Sequence, residues 1–443
     1  LTTEELEQQL DSFDGAQRRT ALVSLLEKVK TGEIVLPEAG RFVNLHCHTF
    51  YSYNAYGYSP SKFAWLARRA GLAVVGTTDF DVLDALDEFR EACRLLDLKG
   101  CSGLETRVYV PEFATRVINS PGEPGISYHM GVGFPNAQVP PAQREFLKNL
   151  KQTAQQRNRD LMERVNRYLS PVELDYESDV LTLTPAGNAT ERHMCVAYAR
   201  KAKDRFGEGT EELARFWSQK LGTDAKKLGL PEGRDLINTI RSKTMKRGGV
   251  GYIQPDSGSF PRMAETNRFI LGAGGMPVHT WLDGSSDGEQ AIEELLDVAM
   301  STGAVALNVI PDRNYTPGSQ DQKVQNLYHV VEVAKKRHLV LVEGTEMNSP
   351  GQKFVDDFNS AELAPLLPAF LSGAHIVYAH SVLQRQCGLG YTSRWANKHF
   401  GTAERKNAFF EELGATLKPR QEDAMAELTE LAAPTEVLKA AQA

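Results

Sequence analysis

The sequence predicts an α/β protein, built on a parallel sheet or barrel and interrupted by a helical insertion. Three observations predict it: short apolar runs ending in polar residues alternate with helical stretches from residue 41, the rhythm breaks between about 140 and 265, and it resumes afterwards. Strand alternating with helix implies parallel pairing, because a parallel neighbour requires a crossover.

Residues 1–40 read as a helical extension. Thr2 and Glu5 fit a capping box, and Leu6, Leu10 and Phe13, then Leu22, Leu25, Leu26 and Val29, recur at helical spacing. Residues 41–139 form the first half of the sheet: "RFVNLHCH" leads into a helix around "PSKFAWLARRAG", "LAVVGTTDF" into "DALDEFREACRLLD", and then come "CSGLETRVYV" and "GISYHMGVGF". Residues 140–265 read as a mainly helical insertion, a possible lid, with a net positive charge on a chain whose overall charge is -7. In residues 266–400 the strand pattern returns with "GGMPVHTWL", "GAVALNVIP", "HLVLVEGTEMN" and "AHIVYAHSV", and residues 401–443 form a helical tail.

With 443 residues, 41% of them hydrophobic and 24% charged, the chain can bury a large core and lacks the basic excess of a dedicated nucleic-acid binder. No apolar run approaches a membrane span and no signal-like segment opens the sequence, so the expected location is cytoplasmic, with no membrane partner. The five cysteines are scattered without a C-x-x-C pair and read as reduced thiols, Cys47 among them as a core residue.

Chemistry enters at "NLHCHTFYSYNAYGYSP". His46 and His48, one residue apart at the end of an apolar run, point the same way if that run is a strand. They can then hold a cation between them, provided that other segments supply matching ligands. In a barrel of parallel strands the chemistry collects at the carboxyl ends, and those ends carry His46, His48, Asp79, Glu105, His129, His279, Glu346 and Asn348. Recurrence of metal-competent groups at one structural position is a stronger signal than any single member.

These motifs resemble the PHP (polymerase and histidinol phosphatase) family of metal-dependent phosphoesterases. H-x-H-T-x-x-S appears as His46, His48, Thr49 and Ser52, and the strand ending in T-D-H as Thr78, Asp79 and Phe80. "GLETRVY", "YHMGVGF", "TERHMCVAYA", "AGGMPVHTW" and "VEGTEMNSPG" resemble the later motifs in order. The resemblance implies a distorted TIM-like (β/α)7 barrel with two divalent metal ions (zinc, manganese or iron). One would be held by His46, His48, Glu105 and Glu346, the other by Glu105, His129 and His193, with Glu105 bridging. The family's third metal is not expected, because its ligand places hold Tyr53 or Asn54, Phe80 and Asn348.

The expected activity is hydrolysis of a phosphate ester by a metal-bridging hydroxide, on a small phosphorylated substrate, with nucleic acid left open. Glu105, His279, Arg192 and Asp79 are the candidate catalytic residues; Arg192, His279, Asn348 and His380 are candidates for holding substrate. Four of them have a structural alternative: Asp79 as an orienting or capping residue, His279 as a satisfied strand histidine, Arg192 as a solvated helical arginine, His380 as a structural histidine. Two other functions stay open, an amidohydrolase-like metal-dependent hydrolase and a non-catalytic module that binds metal or ligand.

Overall fold

The computed structural model describes residues 1–319 and 321–442. Its centre is a seven-stranded sheet whose spatial order equals chain order: β1 Val43–Cys47, β2 Val74–Phe80, β3 Lys99–Tyr109, β4 Ile126–Val132, β5 Met276–Thr280, β6 Ala306–Val309 and β7 Val340–Glu343. The two edges meet just beyond β1 and β7. Glu346 donates its N–H to the His46 carbonyl at 2.7 Å, and its own carbonyl accepts from the His48 N–H at 2.8 Å. Mixed α/β with a nearly closed seven-stranded barrel is therefore the architecture, as expected.

The barrel is distorted because β4 runs antiparallel to both β3 and β5, whereas the other neighbours are parallel. The all-parallel expectation fails there for a local reason. No α-helix separates β3 from β4; the link is a short excursion with one 3-10 turn at Pro111–Phe113, and its ends pair through Val110 N–H to Gly125 O at 2.8 Å. Without a crossover helix the chain folds back as a hairpin.

A second departure concerns "AHIVYAHSV", expected as a strand. It lies inside a 21-residue helix, Leu367–Cys387, with Pro368 in its first turn and Gly388 at φ 74° capping its end. Residues 376–383 are buried without interruption, so the helix has no polar face and its apolar run imitates a buried strand. The helix presses on the barrel at Gly373, where an added Cβ would overlap the Leu341 carbonyl oxygen.

Helices Pro60–Arg69 and Leu86–Leu95 follow β1 and β2, and Ile292–Ser301 and Gln322–Lys336 precede β6 and β7. The amino-terminal helices Thr3–Gln9 and Gly15–Lys30 join this core through Leu6, Leu10, Leu22 and Leu25, packed with Phe63, Trp65 and Phe89. The capping box forms in both directions, with Thr2 N–H to Glu5 Oε2 at 2.8 Å and Glu5 N–H to Thr2 Oγ1 at 3.1 Å. All five cysteines are free thiols. Among the described residues, no helix is long and apolar enough to cross a membrane.

The chain divides into two compact units. One holds residues 1–49, 54–146 and 257–443; the other holds Phe50–Tyr53 and Leu147–Asp256. The second unit has its own core, formed by Val165, Leu169, Met194, Tyr198, Leu213 and Trp217 and further apolar residues.

Gly373→Ala should destabilise the barrel unit by about 3 kcal/mol, since a methyl group there must displace strand backbone rather than a flexible side chain. Urea unfolding of the variant against wild type measures it, and an unchanged midpoint would mean that helix and strand slide apart without cost.

Candidate metal centre

β1 ends in His46-Cys47, and His48 follows at once, so alternation sends Cys47 away from the two imidazoles. Cys47 packs among Phe63, Val75 and Met347. From β3 comes Glu105, whose Oε2 lies 3.4 Å from His46 Nε2 and 3.1 Å from His48 Nε2. From β6 comes Asn308, whose Oδ1 lies 3.2 Å from His46 Nδ1. Side chains from three strands that are not neighbours can meet only across the barrel interior, so this is the interior face.

The three ligand-type groups, His46, His48 and Glu105, are fully or almost fully buried, with donor atoms within 4.8 Å of one another. Asn308 Oδ1 accepts from an imidazole N–H, so it fixes the tautomer with Nδ1 protonated and turns the Nε2 lone pair towards Glu105. His46 Nε2 and Glu105 Oε2 are buried polar atoms that make no hydrogen bond among the described residues. A divalent ion coordinated by two imidazole nitrogens and a carboxylate oxygen would satisfy them together.

Electrostatics support the same assignment. Burial pushes the Glu105 carboxyl up, but the neighbouring imidazole of His46, followed by that of His48, outweighs it and holds the group at about 2. Glu105 is thus a carboxylate at any ordinary pH. Burial lowers His46 in turn, and the Glu105 charge, helped by Glu346 and Asn308, turns that shift upward.

Neighbouring groups hold the cluster in place. Phe80, where the family pattern has a histidine, stacks on His48 with ring centroids 4.4 Å apart and an interplanar angle of 24°. Asp79 points to the other face of β2; its oxygens accept from the Thr49 N–H at 2.8 Å and the Thr49 hydroxyl at 2.7 Å. It therefore anchors the residue after His48.

Glu346 stands at the barrel seam with a left-handed backbone (φ 62°), followed by Met347 at φ 55°. Its backbone is held by β1, but its carboxylate is not part of the close group of three: Oε2 accepts from Gln352 Nε2 at 2.9 Å and lies 3.4 Å from Arg313 Nη1. Asn348, two residues on, is half-buried on the same segment.

His129 and His279 face away from the cluster. Glu105 pairs with Met130 and Thr106 with His129, so His129 is on the opposite face of the sheet from Glu105, and His279 is its direct cross-strand partner. His129 Nε2 meets Asn267 Oδ1 at 2.5 Å, on the outer helix Met263–Gly272. Burial lowers His129 to about 4 and His279 to about 3, so both are neutral.

His380, in the helix Leu367–Cys387, has both nitrogens engaged by backbone: Nε2 donates to Gly274 O at 3.0 Å and Nδ1 accepts from Tyr391 N–H at 2.9 Å. His193 and Arg192 belong to the second unit. There His193 Nδ1 accepts from the Thr190 N–H at 3.1 Å, its ring meets Tyr53 edge-on, and Arg192 donates to Asn238 Oδ1 at 2.6 Å.

The structure thus brings together His46, His48 and Glu105 and adds three residues that the sequence reading passed over: Asn308, Arg313 and Gln352. Asn308 carried a signal, since an amide inside the apolar run "AVALNVI" must find a buried partner. Arg313 and Gln352 carried none.

No family model matches this chain, and no curated protein matches it. Among solved structures it is similar to an amidohydrolase from Chromobacterium violaceum, solved with bound sulfate and no metal, at TM-score 0.47 and 17% identity over 74% of this chain and 96% of that one. It is similar too to a "putative metal-dependent phosphoesterase" from Bifidobacterium adolescentis, at TM-score 0.47 and 17% identity over 75% of this chain and 97% of that one. These likenesses are too distant to carry chemistry, which rests on the residues of this chain.

Asn308→Ala should weaken binding of zinc or manganese about 10- to 100-fold, by freeing the His46 ring, while the protein stays folded. Calorimetric titration of the metal-free protein measures the loss; equal affinity in the variant would remove Asn308 from the centre.

Proposed function

We propose that this protein is a metal-dependent hydrolase acting on a phosphate ester. The single observation that carries the reading is the buried convergence of His46 Nε2, His48 Nε2 and Glu105 Oε2, three ligand-type atoms that one cation could share at the end of a barrel strand. A divalent ion bound there would supply Lewis acidity towards a substrate oxygen and acidify water for attack.

The remaining work falls to the chain. Glu105, ionised, and His46, turned by Asn308, hold the ligand atoms in one place, so little reorganisation is needed when substrate arrives. Glu346 keeps its carboxylate buried beside Arg313 and Gln352, and its charge is felt at His46. That carboxylate is the group we assign to accept a proton from attacking water.

Arg313 favours a phosphate over a neutral amide. It lies in the turn after β6, close to Glu346, with its side chain 43% exposed, and a guanidinium can offer paired N–H groups to phosphoryl oxygens. It takes the part first considered for Arg192 and His279. In this reading one ion is placed at the cluster of three, and His129 has no part in holding it.

A screen of phosphomonoesters, phosphodiesters and simple amides with added manganese, zinc or iron tests the proposal. Wild type should turn over a phosphate ester, and His46→Ala and Glu105→Ala should lose both turnover and bound metal. Full activity in either variant, or turnover of amides alone, would reject it. Arg313→Ala should raise KM for the phosphate ester about tenfold or more, with a smaller change in kcat.

A further inference from the structure

β7 ends in a second carboxyl group that the proposed chemistry does not use. Glu343 is completely buried, and so is Asp356, 2% exposed, on the segment that leaves β7. All four of their oxygens are buried, and among the described residues no side-chain donor meets them at hydrogen-bond distance. Two facing carboxylates in such a place cannot both be charged without a counter-charge. The charged groups around them do not provide one. After burial, Asp356 feels the Glu343 carboxyl first, then the Asp312 charge, which raises it, and Lys353 and the Asp312 backbone, which lower it; Lys353 Nζ lies 3.3 Å from Asp312 Oδ1 and its side chain is 42% exposed. Among the described residues, the group that acts on Glu343 besides burial is Asp356 itself.

The position of the pair gives it a consequence. Segment 344–358 carries the backbone of Glu346 that closes the barrel onto His46 and His48, and it carries Gln352. Asn44 Nδ2 ties it to β1 at Thr345 Oγ1 and Phe354 O, each at 2.9 Å. Glu343 stands on the strand at one end and Asp356 near the other.

We propose that Glu343 and Asp356 share one proton, and that this proton is a latch fastening segment 344–358, and with it the closing seam of the barrel, to β7. The shared proton turns two acceptors into a donor and an acceptor and leaves one charge in place of two. Burial first, and then the Asp356 charge, raise the Glu343 carboxyl well above its usual range, and burial lifts Asp356 to about 7. The folded chain therefore keeps a proton that the unfolded chain releases near pH 4. The stability that the latch contributes is complete below that pH and is lost as pH rises through the folded value. Nothing in this inference depends on the reaction proposed above.

Difference infrared spectroscopy on wild type, Glu343→Gln and Asp356→Asn reads the proton directly. The wild-type-minus-Glu343→Gln difference at pH 6 should contain the carbonyl stretch of a protonated carboxylic acid, since the buried Glu289 acid is common to both and cancels. Amide exchange across segment 344–358, corrected for intrinsic rate, should accelerate in wild type by about tenfold per pH unit from about pH 4 up to the midpoint of the pair and level off above it. In Glu343→Gln, where an amide supplies the hydrogen permanently, it should stay flat over the same range. Comparing the two cancels the buried histidines, which are common to both. Absence of the acid band from that difference would overturn the proposal, as would its absence from the difference with Asp356→Asn should Glu343→Gln fail to fold. So would matching exchange profiles, or a tightly held divalent ion that is lost on Glu343→Gln but retained in His46→Ala.

Discussion

The structure depends on a single residue's backbone. Glu346 donates to the carbonyl of His46 and accepts from the N–H of His48, so the bond pair that joins the last strand region to the first also sets the two imidazoles. Barrel closure and site geometry are one constraint. A barrel without that seam would have two open edges, and His48, which lies past the end of β1, would have no ladder partner to fix its direction. The left-handed backbone at Glu346 and Met347 is the strained part of this arrangement, and it is held by contacts on both sides: Asn44 through Thr345 and Phe354, and Ala55 through the Met347 carbonyl.

Much of this was legible in the sequence, for reasons that can be named. Strand alternation puts His46 and His48 on one side of Cys47, and a carboxylate ending the apolar run "CSGLE" had to find a buried partner, so their meeting follows from local rules. The strand-helix rhythm likewise announced a parallel sheet or barrel. What stayed hidden was long-range or lacked a period. The reversal of β4 depends on how residues 110–125 pair, and a sequence read for rhythm cannot show which way a strand runs. The middle of the helix Leu367–Cys387, residues 376–383, is buried on every side, so that stretch carries no polar stripe to distinguish it from a strand.

Facing direction was the hardest to read. His129 and His279 sit on strands that line the barrel, and their motifs match in order, yet the pairing register sends both to the outer surface of the sheet. A shift of one residue in register exchanges the two faces, and nothing local in "YHMGVGF" or "MPVHTW" sets that register. Asp79 shows the same effect with a different outcome. It faces away from the cluster, but through Thr49 it holds the chain that leaves His48.

The seam has room for almost no side-chain variation. At Gly344 a Cβ would overlap the backbone nitrogen and Cβ of His46, just as one at Gly373 would overlap the Leu341 carbonyl. Glycine at both places is thus demanded by the approach of one chain segment to another, independently of any reaction. In a survey of related sequences these positions should look as constrained as the ligands themselves, and a ranking by invariance alone would mix two kinds of pressure. A lineage that lost the activity but kept the barrel would separate them: the histidines would drift, and the two glycines would remain.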